Sequence, residues 1–388
     1  MSDKQAPQIP NLLSLRGTRG GRGRGREAHL GSSSVGAQTT SKDKIVQQTD
    51  QDASLSRMSA VALGYLDDPF AKYFVQGEVP KRYPIINRGT YVRSTAIDEL
   101  VNRFLATDRD CLKQIISLGA GSDTRYFRIV SRDPSLKLVY HEIDFATNTE
   151  SKIAAIKRSP DLTRAIHTHL QANADDDLEI SSNGASLQSS NYNIHALDLR
   201  TLATVALGDL PKLPKVSPTT PTLLLSECCL IYLPPAAADS VLNVFANHII
   251  SQSTPLGVVI YEPIRPFDSF GQVMISNLSQ RGIVLQTIQK YATLDAQKLR
   301  LQASGFVTGQ QAADVDFLFN HWLSDEEKER IGRCEMLDEL EEWVLLAQHY
   351  CIAWGWREGT NDGADVFGRA WNTLPLQANN DGMERLAG

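Results

Sequence analysis

No apolar run in the 388 residues approaches the roughly 20 positions needed to span a bilayer. The N-terminal segment also lacks the hydrophobic stretch of a secretory signal. Cysteine is scarce: Cys111, Cys228, Cys229, Cys334 and Cys351 are odd in number and show no paired C-x-x-C spacing. That excludes a zinc ribbon and fits a reducing compartment. No self-similarity recurs at periods of about 20–50 residues, which excludes solenoids and propellers. No metal cluster and no His or Cys nucleophile motif stands out. A hydrophobic fraction of 42% is nevertheless enough for a substantial core. The expectation is a soluble cytoplasmic monomer without membrane contact, with the nucleus as a second compartment.

Charge is unevenly distributed. Residues 1–50 carry eight Lys/Arg against four acids, so the remainder stands at −10 within a whole-chain charge of −6. An acidic body argues against nucleic acid as the main ligand. The exception is residues 1–50, which read as a disordered, solvated tail around the Arg/Gly tract from Arg16 to Arg26, a stretch that cannot bury apolar surface. RNA binding, arginine methylation and a transit peptide are its alternative roles.

Folded structure is expected over residues 51–360, with a further tail at 361–388. Helices are expected at Ala53–Leu66 and about Val92–Leu105, forming a helical cover over 51–110. From Gln114 the pattern alternates. Strands are expected at Ile115–Leu118, Leu138–Ile143, Tyr192–Leu197, Thr222–Ser226 and Gly257–Tyr261. Helices are expected at Thr124–Ser131, Ala146–Arg158, Thr201–Leu207 and Pro235–Ile250. Repeated βαβ units predict an α/β fold, a parallel sheet with helices on both faces. Two inserts interrupt it: a polar, mobile loop at 171–191, and a mostly helical segment at 264–330 containing Phe270–Arg281 and Leu294–Ala303. A last strand is expected at His349–Trp354.

Ligands of an open parallel sheet bind beyond the carboxyl ends of its strands. Four features fall there: Gly119-Ala120-Gly121, Asp144, Asp198-Leu199 and Glu227. The Gly-x-Gly turn lets a ligand approach the backbone, and the helix opening after it offers unpaired N–H groups. Asp144 follows at close to the roughly 20-residue spacing at which an acid reaches ribose hydroxyls. Thr124 stands where a dinucleotide turn has its third glycine, which turns the reading from a pyrophosphate toward a nucleoside. Several carboxylates suit a cationic one, such as S-adenosylmethionine. Each residue also has a structural reading: Asp198 as a helix cap, Glu227 as the end of a buried strand, Tyr232 as a core tyrosine, and Cys228-Cys229 as core.

These residues resemble the leucine carboxyl methyltransferases, which methylate the C-terminal leucine of type 2A protein phosphatase catalytic subunits. The resemblance spans about residues 52–356. It rests on Gly64-Tyr65-Leu66-Asp67-Asp68-Pro69, Ile86-Asn87-Arg88-Gly89-Thr90-Tyr91-Val92-Arg93 and Leu118-Gly119-Ala120-Gly121-Ser122-Asp123-Thr124. It continues in Glu142-Ile143-Asp144-Phe145, Asp198-Leu199-Arg200, Ser226-Glu227-Cys228-Cys229-Leu230-Ile231-Tyr232, Tyr261-Glu262-Pro263 and His349-Tyr350-Cys351. It implies a Rossmann-like class I methyltransferase sheet and S-adenosylmethionine as cofactor, without metal. Arg57, Arg93, Gly119, Asp144, Asp198, Leu199 and Glu227 would then hold the cofactor, with Arg57 standing where the family can have Lys. Arg93 and Tyr232 would meet the reacting carboxylate. The implied partner is the phosphatase catalytic subunit, through its C-terminal tail.

Three rivals differ in class. A wybutosine-type transfer RNA carboxyl methyltransferase resembles the domain but adds a C-terminal propeller region, for which this sequence shows no repeats. A nicotinamide-dependent oxidoreductase would want the third glycine. A non-catalytic phosphatase-binding relative would have no need of the rim acids and Arg93.

Overall fold

In the computed structural model, residues 35–75, 77–169, 178–360 and 365–378 are described. The Arg/Gly tract and the tails beyond these bounds lie outside them. Helix α1 (Val35–Ala62) leads into a short 3-10 turn and α2 (Pro84–Ala106). The alternating series follows: β1 (Lys113–Leu118), α3 (Arg125–Arg132), β2 (Leu138–Asp144), α4 (Ala146–Arg158) and α5 (Pro160–His169). Then come β3 (Glu179–Ile180), β4 (Leu187–Gln188), β5 (Tyr192–Ala196), β6 (Thr222–Glu227), α6 (Pro235–Val244) and β7 (Leu256–Pro263). The last third holds α7 (Ser269–Gln280), α8 (Leu294–Ala303), β8 (Gly309–Asp314), α9 (Val315–Trp322) and α10 (Asp325–Gly332). It closes with α11 (Leu340–Gln348), β9 (Tyr350–Arg357) and α12 (Val366–Trp371).

All strands join one sheet in the order β3-β4-β5-β2-β1-β6-β7-β9-β8. β5, β2, β1, β6 and β7 run parallel, and β9 runs antiparallel between β7 and β8. This is the expected α/β class: a central parallel sheet, Rossmann-like, with an antiparallel pair at one end. Every residue of β1 and of β7 is buried because both faces are covered. Along β1, Ile115 joins the core on one face, while Ile116 and Leu118 join the core on the other. α2 supplies Val92, Ile97, Leu100 and Phe104 to the first core; α6 and α8 supply Val241, Leu242 and Leu301 to the second.

Four expectations needed correction. The first helix begins at Val35, not at Ala53, so residues 35–50 are helical rather than part of a disordered tail. The 171–191 segment is not simply a loop. Residues 171–177 lie outside the described part, but β3 and β4 form a hairpin that pairs antiparallel with β5 and extends the sheet. The 264–330 segment contains the two expected helices and also β8, which fills the free edge of β9. Finally, Thr201–Leu207 is not an α-helix: the turn there is a 3-10 helix at Leu199–Ala203.

The segment expected as a tail at 361–388 is not all tail either: its α12 closes the first core from outside the βαβ series. Phe367 stacks on Phe104 of α2 with ring centroids 4.9 Å apart, and Trp371 donates its indole N–H to the Leu100 carbonyl at 3.1 Å. Phe367 is fully buried, so Phe367→Ala leaves a cavity that rigid neighbours cannot fill. The expected loss is about 3–5 kcal/mol in a denaturant melt.

Candidate functional site

One cavity of about 410 Å³ lies beyond the carboxyl ends of β1, β2, β6 and β7. Its volume is within the usual range of roughly 300–1,000 Å³ for small-molecule sites. All eight residues expected at the site (Arg57, Arg93, Gly119, Asp144, Asp198, Leu199, Glu227 and Tyr232) line it.

The glycine turn forms its floor. Gly119 and Gly121 take φ values of +66° and +45°, which glycine adopts without cost. An added Cβ at Gly119 would lie 2.5 Å from Cys229 Sγ, and one at Gly121 would lie 2.2 Å from Asp50 Oδ1. Thr124, in place of the third glycine, is buried and donates to Asp68 Oδ2 at 2.5 Å, locking the turn to the N-terminal segment.

Asp144 ends β2. Its Oδ2 accepts the Gly121 N–H at 2.7 Å, and its Oδ1 accepts the Phe145 N–H at 2.7 Å and the Asn148 amide at 2.9 Å. Burial pushes its pKa up to about 6, against the pull of these hydrogen bonds and with help from nearby Asp50. Among the described residues it has no cationic partner, and its Oδ2 retains a lone pair toward the cavity.

The other two acids are not open charges, which corrects the picture of an acid rim awaiting a cation. Asp198 caps the 3-10 helix by accepting the Arg200 N–H at 3.0 Å, as its structural reading had it, and also pairs with the Arg200 guanidinium at 2.6 Å. Arg200 in turn grips Asp43 of α1 through two 2.8 Å bonds. Glu227 lies between Arg93 Nε at 2.8 Å and Arg125 Nη1 at 2.8 Å. Burial raises its pKa, but Arg125 and Arg93 outweigh that and hold it below the usual carboxylate value.

Arg93 comes from α2. Burial pulls its pKa down, yet Glu227, Cys228 and Tyr261 together carry it above its ordinary value. Its guanidinium lies over the Tyr261 ring, 4.6 Å from the centroid. Among the described residues only its Nε has a hydrogen-bond partner, so its two Nη groups are open to the cavity.

Arg57 sits on α1. It pairs with Asp68 at 2.5 Å and donates to Ser94 at 3.2 Å, while its Nη2 is buried without a partner. A buried, unmatched guanidinium N–H on a residue that lines a cavity is a place for an anionic ligand group. Burial, then Arg128, lowers its pKa.

Tyr232 follows β6 in a 3-10 turn, and burial pushes its phenol above the ordinary range. The two cysteines expected in the core do pack against it, Cys228 on one face of the sheet and Cys229 on the other, and both also line the cavity. Cys228 adopts φ +50°, a strained value for a side-chain-bearing residue, and burial drives its thiol up to about 11.

Several site residues escaped the sequence reading. Asp50 accepts from both the N–H and the hydroxyl of Ser122 at 2.7 Å, and Asp43 anchors Arg200. Arg125, buried, binds Asp98, Asp123 and Glu227. Asp43 and Asp50 fall in the segment expected to be a tail, and Arg125 falls in an expected helix, where its sequence neighbours give no sign of Asp98 or Glu227. An apolar half of the cavity is built by Phe270, Met274 and Leu278 of α7 and by Trp343 and Leu346 of α11.

Among the described residues, no group of three or more His, Cys, Asp or Glu could hold a metal, and no helix is long and apolar enough to cross a membrane.

The raised pKa of Asp144 has a signed consequence. Its folded value of about 6 lies above the unfolded value of about 3.9, so its stabilisation is present at low pH and lost as pH rises through that window. Asp144→Asn should therefore gain thermal stability relative to the parent as pH goes from about 4 to about 7. Ligand-free melting curves across that range test this; a difference that does not change with pH would contradict it.

Residues 45–246 match a family profile described as leucine carboxyl methyltransferase. The chain is 53% identical over 374 residues to Leucine carboxyl methyltransferase 1 of Emericella nidulans, an alignment covering 92% of this chain and 95% of that one. It is 49% identical over 391 residues to Leucine carboxyl methyltransferase 1 of Aspergillus fumigatus, covering 93% and 96%. A solved O-methyltransferase family protein from Burkholderia thailandensis aligns at 12% identity and a TM-score of 0.38, covering 81% of this chain and 71% of that one. That likeness is too distant to bear on the site.

Proposed function

The chain belongs to the leucine carboxyl methyltransferase family, S-adenosylmethionine-dependent enzymes, and on that premise we propose that it esterifies the C-terminal leucine carboxylate of a type 2A protein phosphatase catalytic subunit. The observation that carries this reading is Arg93. Its guanidinium is fixed by Glu227 and Tyr261, and its open Nη groups face the cavity that Phe270, Met274, Leu278 and Trp343 line. A cation beside an apolar pocket fits a carboxylate carried by a leucine side chain.

The residues present also fit the cofactor. The unpaired Arg57 Nη2 suits its carboxylate, Asp144 Oδ2 a ribose hydroxyl, Leu199 the face of its base, and the Gly119 turn its close approach. When bound, S-adenosylmethionine supplies an electrophilic sulfonium methyl.

What the chain contributes is orientation and exclusion of water. A terminal carboxyl with a pKa of about 3.3–3.7 is already ionised at neutral pH, so no residue need act as base. Arg93 orients one edge of that carboxylate and leaves the other oxygen to react. A guanidinium shared with Glu227 grips less tightly than a lone one, which avoids over-stabilising the ground state. Tyr232 stays protonated and can donate a second, neutral hydrogen bond. Alignment of the reacting groups can supply roughly 7–11 kcal/mol of the barrier.

Radiolabelled methyl transfer to a phosphatase catalytic subunit with and without its terminal leucine tests the acceptor. Labelling only of the leucine-ended form is expected, and equal labelling would refute the reading. Arg93→Ala should lower transfer by roughly 10²-fold or more while S-adenosylhomocysteine binding, followed by calorimetry, changes little. Arg57→Ala should do the reverse, weakening nucleoside binding about tenfold or more because a charged hydrogen bond is lost.

A further inference from the structure

The antiparallel direction of β9 brings its first residue to the end of the sheet where the parallel strands finish. Tyr350 opens β9, and Pro263, the last residue of β7, pairs with it. Tyr261 pairs with Ile352, so Tyr350 is its diagonal neighbour on the same face, within reach of a large ring. The two rings stack with centroids 5.5 Å apart and planes 14° from parallel. On Tyr261 lies the Arg93 guanidinium, 4.6 Å from its centroid, and both tyrosines line the cavity.

Arg93 is therefore constrained in two ways. Glu227 at 2.8 Å holds its Nε edge and sets its direction. Rotation of the plane about that edge is opposed by the face of Tyr261, and Tyr261 is in turn backed by Tyr350. Burial raises the pKa of both phenols, so the stack stays neutral and adds no second charge beside the acceptor carboxylate.

We propose that Tyr350 is a positioning residue: stacked on Tyr261, it fixes the plane of the Arg93 guanidinium and so the orientation of the acceptor carboxylate. This rests on the reading of the cavity as a carboxyl methyltransferase site. The stack contributes through its ring, not through its hydroxyl. Loss of the ring lets the guanidinium plane turn, which misaligns the acceptor without removing its charge partner. Such misplacement lowers kcat more than it raises KM.

The test uses the full chain, S-adenosylmethionine and a leucine-terminated peptide. Y350V and Y350L should lower kcat about ten- to hundredfold with a smaller change in KM and an unchanged Kd for S-adenosylhomocysteine. Y350F, which keeps the ring, should stay within a fewfold of the parent. Tyr261→Leu combined with Y350L should be no slower than Tyr261→Leu alone, because one unit is removed twice. Parental kcat in the ring-deleted variants that still bind S-adenosylhomocysteine would overturn the proposal. So would a Y350F as slow as Y350L, or a double variant whose loss is the product of the singles. A parent chain that methylates no such peptide overturns the reading of the site and this proposal with it; an active parent with the other results overturns the proposal alone.

Discussion

Arg125 is the interaction on which the rest of the site depends. Its side chain is 2% exposed, and its guanidinium binds Asp98 at 2.9 Å, Asp123 at 2.6 Å and Glu227 at 2.8 Å. Removing a cation from water is costly, and a buried cation is tolerated only when well-aligned anions surround it. Here the anions come from three places: α2, the glycine turn, and the end of β6. One cation therefore ties the helix that carries Arg93, the turn that forms the floor, and the strand end that carries Glu227. Glu227 is thus already anchored before it orients Arg93, and pairing with Arg125 and Arg93 leaves it ionised in spite of its burial.

A second layer of ionic ties brings α1 onto the same site. Asp43 binds Arg200, Asp50 caps Ser122, Asp52 pairs with Arg281, and Arg57 pairs with Asp68. The Asp43–Arg200 and Asp52–Arg281 pairs are partly exposed, so each contributes little alone and is weakened by salt, whereas Asp68 of the Arg57 pair is buried. Their number along one 28-residue helix is what holds it across the cavity. This half of the site is accordingly its softer half, while the glycine turn and β6 rest on a packed sheet.

The sheet and the strand-end acids were legible because both leave local marks. Buried parallel strands read as short apolar runs, and a glycine turn followed by an acid at fixed spacing is a pattern within some 25 positions. The first part of α1, residues 35–50, left no such mark. Its partners are distant in sequence, with Asp50 bonded 72 residues away and Asp43 157 residues away, and its apolar residues are few. β8, Gly309-Gln310-Gln311-Ala312-Ala313-Asp314, has no β-branched residue and is a strand because β9 offers it an edge. The charge state of the rim was also hidden. Asp198 and Glu227 looked like open anions, but their neutralising arginines, 200 and 125, are known only once the chain is folded. The aromatic wall of the cavity was the least visible part, since Tyr261 of β7 and Tyr350 of β9 become neighbours only through strand pairing.

The position of β9 also bears on synthesis. Among the strands of the sheet it is the last to be made, yet it lies between β7 and β8 rather than at an edge. Until it leaves the ribosome, the long, fully buried β7 has an unpaired flank and β8 has no neighbour to join. An uncovered apolar strand edge is a template for wrong pairing. The nascent chain must therefore protect that flank while the residues between Pro263 and Arg357 are made, and the Tyr261–Tyr350 side of the cavity is completed only when the final strand slides into the gap.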